Sequence, residues 1–375
     1  MISAVVCGDA PAIRERFVSV WTLAMEGVPV TVGLMETPEP TYDLQAPEYR
    51  SSVLIKVRAF SCNYRDKALI LQISQRCRGR DSYAFIGSEF VGEVVAVGPE
   101  VTAFQVGDRV MPDHCYPVLS VPDVQPGIPT EHGSKRYFVL HEAKLRKVPP
   151  EMPDEVAAAF SLNAQTAYSM VRKLNITPEA NVLVTSARAN TSLFTINALK
   201  KWHCNVYAVT TARKFEGDMA QMGLKEVIQV DPVLPTFLEN ERMAEIVSTI
   251  GGFDYIIDPF FDLYLSKAIE VIAVEGKYIT CGLYDQYSHL TGKVFRYAGK
   301  DLKEIITTMF VRSAQILGNC LGRTDDLQRA IDDYTQGNFN VIVDQVFSGD
   351  QLDAFFDRTY NSRLRFGKAV YRYDD

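Results

Sequence analysis

The sequence lacks three things whose absence narrows what it can be. No run of apolar residues approaches the roughly 20 that a membrane-spanning helix needs. No CxxC pair occurs, and the seven cysteines, at 7, 62, 77, 115, 204, 281 and 320, are odd in number and far apart. That spacing gives neither a disulfide framework nor the clustered thiolates of a structural zinc knot, and it suits a reducing compartment. Positive charge is also short, with 39 Lys and Arg against 46 Asp and Glu and a net charge of −7. A chain that neutralises phosphates as its main task carries the opposite surplus, so nucleic acid is not the expected partner. The opening MISAVVCGDAPAIRERF mixes both signs of charge and has no signal-peptide apolar core. A soluble cytoplasmic protein with no membrane partner is expected.

What is present is ordinary in amount and informative in order. Apolar residues make up 47% and charged residues 23% of 375, enough for two domains with separate cores. The first 150 residues read as strands and turns. SVLIKVRAF (52–60) and FVGEVVAVG (90–98) are strand-like, Gly107-Asp108 is a turn, and YFVLHEAKLRKVP (137–149) closes the region before Pro149, Pro150 and Pro153. Helix and strand then alternate. A helix is expected over 154–174, a strand at VLVT (182–185), a helix over 192–201 and a strand over 205–211. A helix over 213–222 follows, then strand VIQVD, a helix near 237–250, strand FDYIIDP, a helix near 263–273 and strand KYITCGLYD. Helices between short apolar strands imply βαβ units and a parallel sheet covered on both faces. The last 55 residues give a helix, a strand (341–347), a helix (350–360) and FGKAVYRY, too little to stand alone. They are expected to complete the first domain, with the α/β unit inserted.

Seven segments in this order carry a family likeness: SCNYRDKAL (61–69), GSEFVGEVVAVGPEVTAFQVGDRV (87–110), AAAFSLNAQTAY (157–168), VLVTSARANTS (182–192), GGFDYIIDP (251–259), VEGKYITCG (274–282) and FGKAV (366–370). Together they resemble the medium-chain dehydrogenase/reductase superfamily, and within it the zinc-free quinone oxidoreductase and enoyl reductase branch. Residues 1–40 do not share the likeness. The resemblance implies an α/β protein with two parts. One is a GroES-like β-rich catalytic domain over 1–153 and 323–375. The other is a Rossmann cofactor domain, a doubly wound parallel sheet, over 154–322, with a nicotinamide in the cleft between them. It also implies a homodimer, because SAQILGNC (314–321) resembles the pairing edge of that family.

The zinc-dependent members hold their metal with Cys, His and Cys. The matching positions here are Asn63, Ser88 and about Leu162, which supply neither imidazole nor thiolate. His114, Cys115 and His132 sit in one loop region, where the alternatives are a metal site and ordinary hydrogen bonding. The zinc-free reading is preferred.

For the cofactor, the resemblance points at the loop after VLVT. Relatives place glycines there for a tight turn, close approach to pyrophosphate and helix packing. This chain has Ser186, Ala187, Arg188, Ala189, Asn190, Thr191 and Ser192 instead, with no glycine from 182 to 201. Helix-start amides bind anions whatever the side chains, and the expectation is that backbone and hydroxyls, with Arg188, cradle a pyrophosphate. The alternative is a decayed pocket in a binding or scaffold protein. The next strand ends in Thr210-Thr211-Ala212-Arg213-Lys214, where an NAD site carries an acidic residue. Hydroxyls and two cations suit the 2′-phosphate of NADPH, and cations in a first helical turn oppose the dipole unless an anion sits there. NADPH is therefore the expected cofactor. The resemblance adds Thr166, Gly282 and Leu283 to its contacts, and Lys368 or Arg365 to a phosphate or to the surface.

Without a Lewis acid, the remaining chemistry is hydride delivery to an activated C=C bond, with hydrogen bonds stabilising the enolate. By resemblance the NYRD segment lies near the nicotinamide. Tyr64 is then the proton donor, Arg65 an oxyanion stabiliser, Asn63 an orienting amide and Asp66 an anchor for Arg65. For each, the competing reading is structural: Tyr64 in the core, Arg65 merely paired with Asp66. The stretches 71–87 and 111–136 read as loops that set substrate choice. Their Arg76, Arg78, Arg80, Lys135 and Arg136 favour an anionic or peptide-like ligand. Enones, quinones, enoyl thioesters and dehydroalanine in modified peptides are the substrates the resemblance allows. A zinc-dependent alcohol dehydrogenase and a catalytically weak NADPH-binding protein are the alternatives.

Overall fold

In the computed structural model, residues 1–38, 40–212, 216–293 and 299–374 are described. The chain divides into two compact units. The first comprises Met1–Leu162, Gln286–Lys293 and Val341–Asp375, and the second Asn163–Asp285 and Val294–Asn340.

The first unit is built on two sheets. Ser52–Ser61 is central to a seven-stranded sheet because its inward residues Val53, Ile55, Val57 and Ala59 are fully buried. Its antiparallel neighbours are Glu89–Val97, Tyr137–His141 and Lys368–Arg372. Val343–Ser348 extends one edge of that sheet, and Arg109–Pro112 and Leu145–Lys147 extend the other. The register sets Val370 opposite Ser61, which carries Lys368 alongside Asn63. Gly367 makes that approach possible: its φ is +105°, and a Cβ there would lie 2.3 Å from the Ile342 carbonyl oxygen.

Residues 1–36, which the likeness left unplaced, form a second antiparallel sheet. Its order is Phe17–Met25, Val28–Glu36, Ile2–Cys7 and Tyr83–Ala84. The first two strands meet at a two-residue turn, Glu26 (φ 54°) and Gly27 (φ 83°), the left-handed pair a tight hairpin requires.

Two expectations change here. The segment 71–77 is not a loop but the second half of a helix, Tyr64–Cys77. The helix expected over 154–174 is two helices, Asp154–Ala157 and Ser161–Leu174. Ser61 Oγ donates to the Ala158 carbonyl at 2.8 Å, and the Leu162 amide donates to Glu89 at 2.7 Å. Those partners interrupt the helical ladder.

The second unit holds six parallel strands in the order Glu226–Gln229, Asn205–Thr210, Asn181–Val184, Phe253–Asp258, Ile272–Thr280, Gln315–Gly318. Counted along the chain this is 3-2-1-4-5-6, the doubly wound order. Its topological switch point falls between Asn181–Val184 and Phe253–Asp258. Leu183, Val209, Ile228, Ile256 and Tyr278 contribute to a core packed by Met243, Ile246 and Ile269 from the covering helices. The helix Glu241–Ile250 starts where Asn240 accepts from the Met243 amide and ends at left-handed Gly251. Thr324–Thr335 belongs to this unit: Asp326 takes both arms of Arg172, and Asp333 accepts from the Tyr168 hydroxyl at 2.6 Å. Gln315–Gly318 forms a sheet edge. No helix among the described residues is long and apolar enough to cross a membrane.

Candidate functional site

In the second unit the candidate residues converge on the carboxyl edge of the parallel sheet. Asn181–Val184 ends at Thr185, and the chain then turns through Ser186 into the helix Asn190–Leu199. Ser186 takes φ +46°, so a serine adopts the left-handed turn that relatives give to glycine. The turn is held by Ala187 N to Val209 O (2.9 Å) and Ala189 N to Ser186 O (2.7 Å). The first intrahelical bond runs from Leu193 N to Ala189 O, so the amides of residues 190–192 stand ahead of the ladder at the positive end of a ten-residue helix.

The hydroxyls expected to face a pyrophosphate do other work. Ser192 Oγ donates inward to Thr185 O at 2.8 Å, and Thr191 Oγ1 donates to Asn163 Oδ1 at 3.1 Å. Thr210 closes its own turn, accepting from the Ala212 amide at 3.2 Å. Arg188 in this loop is half-buried, and burial pushes its pKa down. Thr211 is exposed at the end of its strand. Gly282 and Leu283 follow the strand Ile272–Thr280 on the same edge. Thr166 is buried in the helix Ser161–Leu174. Arg213 and Lys214 lie outside the described residues.

Beneath the loop sits a carboxylate the sequence did not single out. Asp258, fully buried at the end of its strand, accepts from Thr185 Oγ1 (2.6 Å), the Phe260 amide (2.9 Å) and the Tyr278 hydroxyl. Burial raises its pKa to about 6, against those hydrogen bonds. It ties the two strands of the switch point together.

In the first unit the NYRD residues separate into two clusters. One is closed. Lys368 Nζ donates to Asn63 Oδ1 (2.7 Å), Glu89 Oε2 (2.8 Å) and the Cys62 carbonyl (3.4 Å), and Asn63 Nδ2 donates to the same carboxylate oxygen at 2.9 Å. The Lys368 and Glu89 side chains are 0% exposed. Burial works against the Glu89 charge, yet the Lys368 ammonium holds its pKa below the ordinary range. Lys368 thus serves an internal ion pair rather than a phosphate, and both ends of the Asn63 amide are engaged. Asp66 is a structural anchor: it accepts from the Asn63 amide (2.7 Å), Ser88 Oγ and Arg65. Arg65 also pairs with Glu131 at 2.7 Å. Arg365 donates to the Gly367 carbonyl.

The second cluster contains Tyr64. Its hydroxyl donates to that of Tyr287 at 3.1 Å, and Tyr287 donates to Glu26 at 3.0 Å. Lys67 and Lys293 both donate to Glu26. Burial opposes the Glu26 charge, but the two ammonium groups and Tyr287 bring its pKa down to about 2. Sequence reading missed Glu26, Lys67, Tyr287 and Lys293. The available signals were the Glu26-Gly27 hairpin turn and Lys67, one helical turn after Tyr64 on the same face.

Among the described residues no three His, Cys, Asp or Glu side chains are grouped to hold a metal ion. His114 Nε2 meets Ser161 Oγ at 3.1 Å, and burial lowers its pKa to about 4. Cys115 Sγ donates to the Val118 carbonyl at 3.2 Å. Of the cations expected at a ligand, Arg136 is buried, donating to the Val57 and Asp374 carbonyls, and Lys135 donates to the Tyr42 hydroxyl.

Comparison with known proteins agrees with this architecture. Residues 49–150 match the family described as alcohol dehydrogenase GroES-like domain. A mycocerosic acid synthase-like polyketide synthase of Mycobacterium tuberculosis is 26% identical over 262 residues, covering 69% of this chain and 11% of that protein. An acryloyl-coenzyme A reductase of Metallosphaera sedula is 29% identical over 262 residues, covering 65% of this chain and 73% of the relative. The chain thus spans only a small part of the synthase it matches. A mycobacterial protein, Rv1454c, solved with NADPH, superposes with a TM-score of 0.70 at 17% identity, covering 99% of this chain and 100% of the other. At that identity the likeness is one of fold.

Proposed function

We propose that the chain, whose residues 49–150 match the alcohol dehydrogenase GroES-like domain, is a member of the medium-chain dehydrogenase/reductase superfamily and an NADPH-dependent oxidoreductase that reduces an activated C=C bond. The observation that carries the reading is the loop at the switch point of the 3-2-1-4-5-6 sheet. There a left-handed Ser186 turns the chain into a ten-residue helix whose first amides precede its own hydrogen-bond ladder. A tight loop built this way fits a pyrophosphate without glycine. Arg188 offers a charge whose burial an anion would offset. At the end of Asn205–Thr210 the sequence places Thr211, Arg213 and Lys214 where a 2′-phosphate is read and an NAD site has an acid.

When bound, the nicotinamide supplies the hydride. The protein's part is to hold the substrate carbonyl and the proton. Tyr64 is the NYRD side chain that carries a phenol proton, its hydroxyl donates to Tyr287, and the Lys67 ammonium lies 5.6 Å from its ring centre. Asn63, Arg65 and Asp66 keep the start of its helix rigid. The choice of a C=C bond rests on the resemblance to enoyl reductases and on the acryloyl-coenzyme A reductase likeness. The matched metal positions carry an amide, a hydroxyl and an aliphatic side chain, a donor set that zinc disfavours. A homodimer through the sheet edge Gln315–Gly318 completes the proposal, and sedimentation equilibrium measures it: a particle of one chain mass would remove it.

The test is cofactor-fluorescence titration with NADPH and NADH, for wild type and Arg213→Ala, followed by turnover of crotonyl-CoA, an enone, a quinone and a dehydroalanine peptide. We expect NADPH to bind at least about tenfold tighter than NADH, with that preference lost in the variant. Failure of both cofactors to bind, or no turnover of any substrate, would refute the reading.

A further inference from the structure

Tyr64 sits at the head of a chain of groups that runs from a half-buried phenol through a buried one to a half-exposed ammonium, and its members come from three separate stretches. The Tyr64 and Tyr287 hydroxyls are 3.1 Å apart, and Lys67 Nζ lies 3.4 Å from the Tyr287 hydroxyl. The Lys67 ammonium lies 4.6 Å from the Tyr287 ring centre and 5.6 Å from that of Tyr64. Glu26 accepts from Lys67, from Tyr287 and from Lys293. Behind the half-buried Tyr64, exposure rises from 0% at Tyr287 and 5% at the Lys67 side chain to 20% at Glu26 and 47% at Lys293. Gln75 Nε2 to Leu290 O, 2.7 Å, holds the segment 286–293 against the helix that carries Tyr64 and Lys67.

We infer that Tyr287 and Lys67, with Glu26 and Lys293 behind them, form a proton relay that restores the phenol of Tyr64 after each turnover. The inference rests on the proposed role of Tyr64 as proton donor. Once Tyr64 has given its proton to the substrate, it is a phenolate with Tyr287 as its hydrogen-bonded neighbour. Tyr287 passes its O–H proton across, breaking one O–H bond as another forms. Because Tyr287 is fully buried, its own phenolate would be costly, so it draws a proton from the Lys67 ammonium. Lys67 suits that task, since burial depresses its pKa despite the adjacent carboxylate. Glu26 keeps its charge and fixes both lysines, and the Tyr287 O–H, which donates to Glu26 in the resting state, turns to the Tyr64 phenolate before its proton crosses. The neutral Lys67 amine is then reprotonated from water at the Glu26–Lys293 rim. One proton enters per turnover, and no electrons move along the path.

Tyr287 and Lys67 are positioning residues in this scheme, and the competing role is a structural clamp on the Glu26-Gly27 hairpin. Four variants separate the two: Tyr64→Phe, Tyr287→Phe, Lys67→Met and Lys67→Arg. NADPH oxidation is followed by stopped flow and at steady state with crotonyl-CoA, the enone and the quinone. Because Tyr64 starts protonated, Tyr287→Phe is expected to complete one fast turnover per site and then fall to a steady rate on the order of 100-fold slower, with KM falling in proportion so that kcat/KM is unchanged. Lys67→Arg keeps the cation against Glu26 but cannot release a proton, so it is expected to match the wild-type melting temperature and still show the burst. A structural clamp predicts instead that Lys67→Arg restores the steady rate and that no variant shows a burst. Wild-type rates in Tyr287→Phe and Lys67→Met, alongside an inactive Tyr64→Phe, would overturn the relay and leave Tyr64 as donor. Full activity in Tyr64→Phe, or no turnover by wild type, would overturn the donor role and the relay with it.

Discussion

Replacing Lys368 by Met removes a charge from the driest place in the first unit. The methionine stem occupies much the same volume, so packing changes little and the electrostatic loss is isolated. Glu89 keeps Asn63 Nδ2 at 2.9 Å and the Leu162 amide at 2.7 Å, but it loses its only ion-pair partner among the described residues. At 2.8 Å and an effective dielectric of ~20, the lost attraction is about 6 kcal/mol. Breaking a buried pair by removing one partner typically costs about 3–5 kcal/mol, because the orphaned charge remains. For a unit of this size that is a fall in melting temperature of roughly 6–20 °C.

The pH dependence gives the argument its sharper test. In the wild type the Glu89 pKa is held below its ordinary value, so its contribution is present at neutral pH and is lost as pH falls through the folded pKa. In Lys368→Met only burial and neutral donors remain, and the pKa moves above the ordinary value. The deficit is then largest near pH 8 and shrinks toward pH 5, where Glu89 is protonated in the fold. Adding Glu89→Gln to Lys368→Met removes the orphaned charge and is expected to recover most of the loss. Thermal melts of the four proteins of this cycle at pH 5, 6.5 and 8 decide it. A single variant melting within about 2 °C of wild type at every pH would refute the reasoning. So would a deficit that does not change with pH, or a double variant no more stable than the single.

Asp258 gives a second pH signature of opposite sign. Its folded pKa, about 6, lies above the unfolded value, so its contribution is fully present below pH ~4 and is lost as pH rises through 6, about 3 kcal/mol in all. Asp258→Asn should abolish that slope, and parallel stability curves for the two proteins between pH 4 and 7 would contradict it. At the phosphate loop, Ser186→Gly fits the left-handed backbone without strain and is expected to bind NADPH within about twofold of wild type. Ser186→Val, β-branched at the same φ, is expected to destabilise by about 1–2 kcal/mol and to weaken NADPH binding at least about tenfold. Equal binding by the two variants would mean that the turn at Ser186 does not shape the site.

The parallel sheet was legible because each of its strands carries a short apolar stretch, rich in Val, Ile and Leu, between helical stretches. Residues 1–36 were not legible. Phe17–Met25 is mostly half-buried or exposed, so its alternation is weak, and its pairing is declared only by the turn at Glu26-Gly27. The helix Tyr64–Cys77 was hidden for a different reason: its arginines and glutamines read as loop when the partner of its apolar face is unknown.

The site shows the same division. What one segment decides alone, a loop after the strand that leads into a helix, could be anticipated from residue types, with the helix expected from 192 and found from Asn190. What distant segments decide together could not. Lys368 sits after a glycine near the end of the chain, where relatives pass the cofactor, and nothing local says that it meets Asn63 and Glu89 instead. That meeting follows from the register of Lys368–Arg372 on Ser52–Ser61, a property of two strands about 300 residues apart. The consequence is chemical as well as structural. Lys368 takes up Asn63, and Asp66 with Glu131 takes up Arg65, while the Tyr64 hydroxyl donates to Tyr287. Its hydroxyl faces Tyr287, and the groups behind Tyr287 come from the hairpin and the 286–293 segment that sequence reading passed over. The same long-range pairings that obscured the site in the sequence are the ones on which the proposed role of Tyr64 as donor rests.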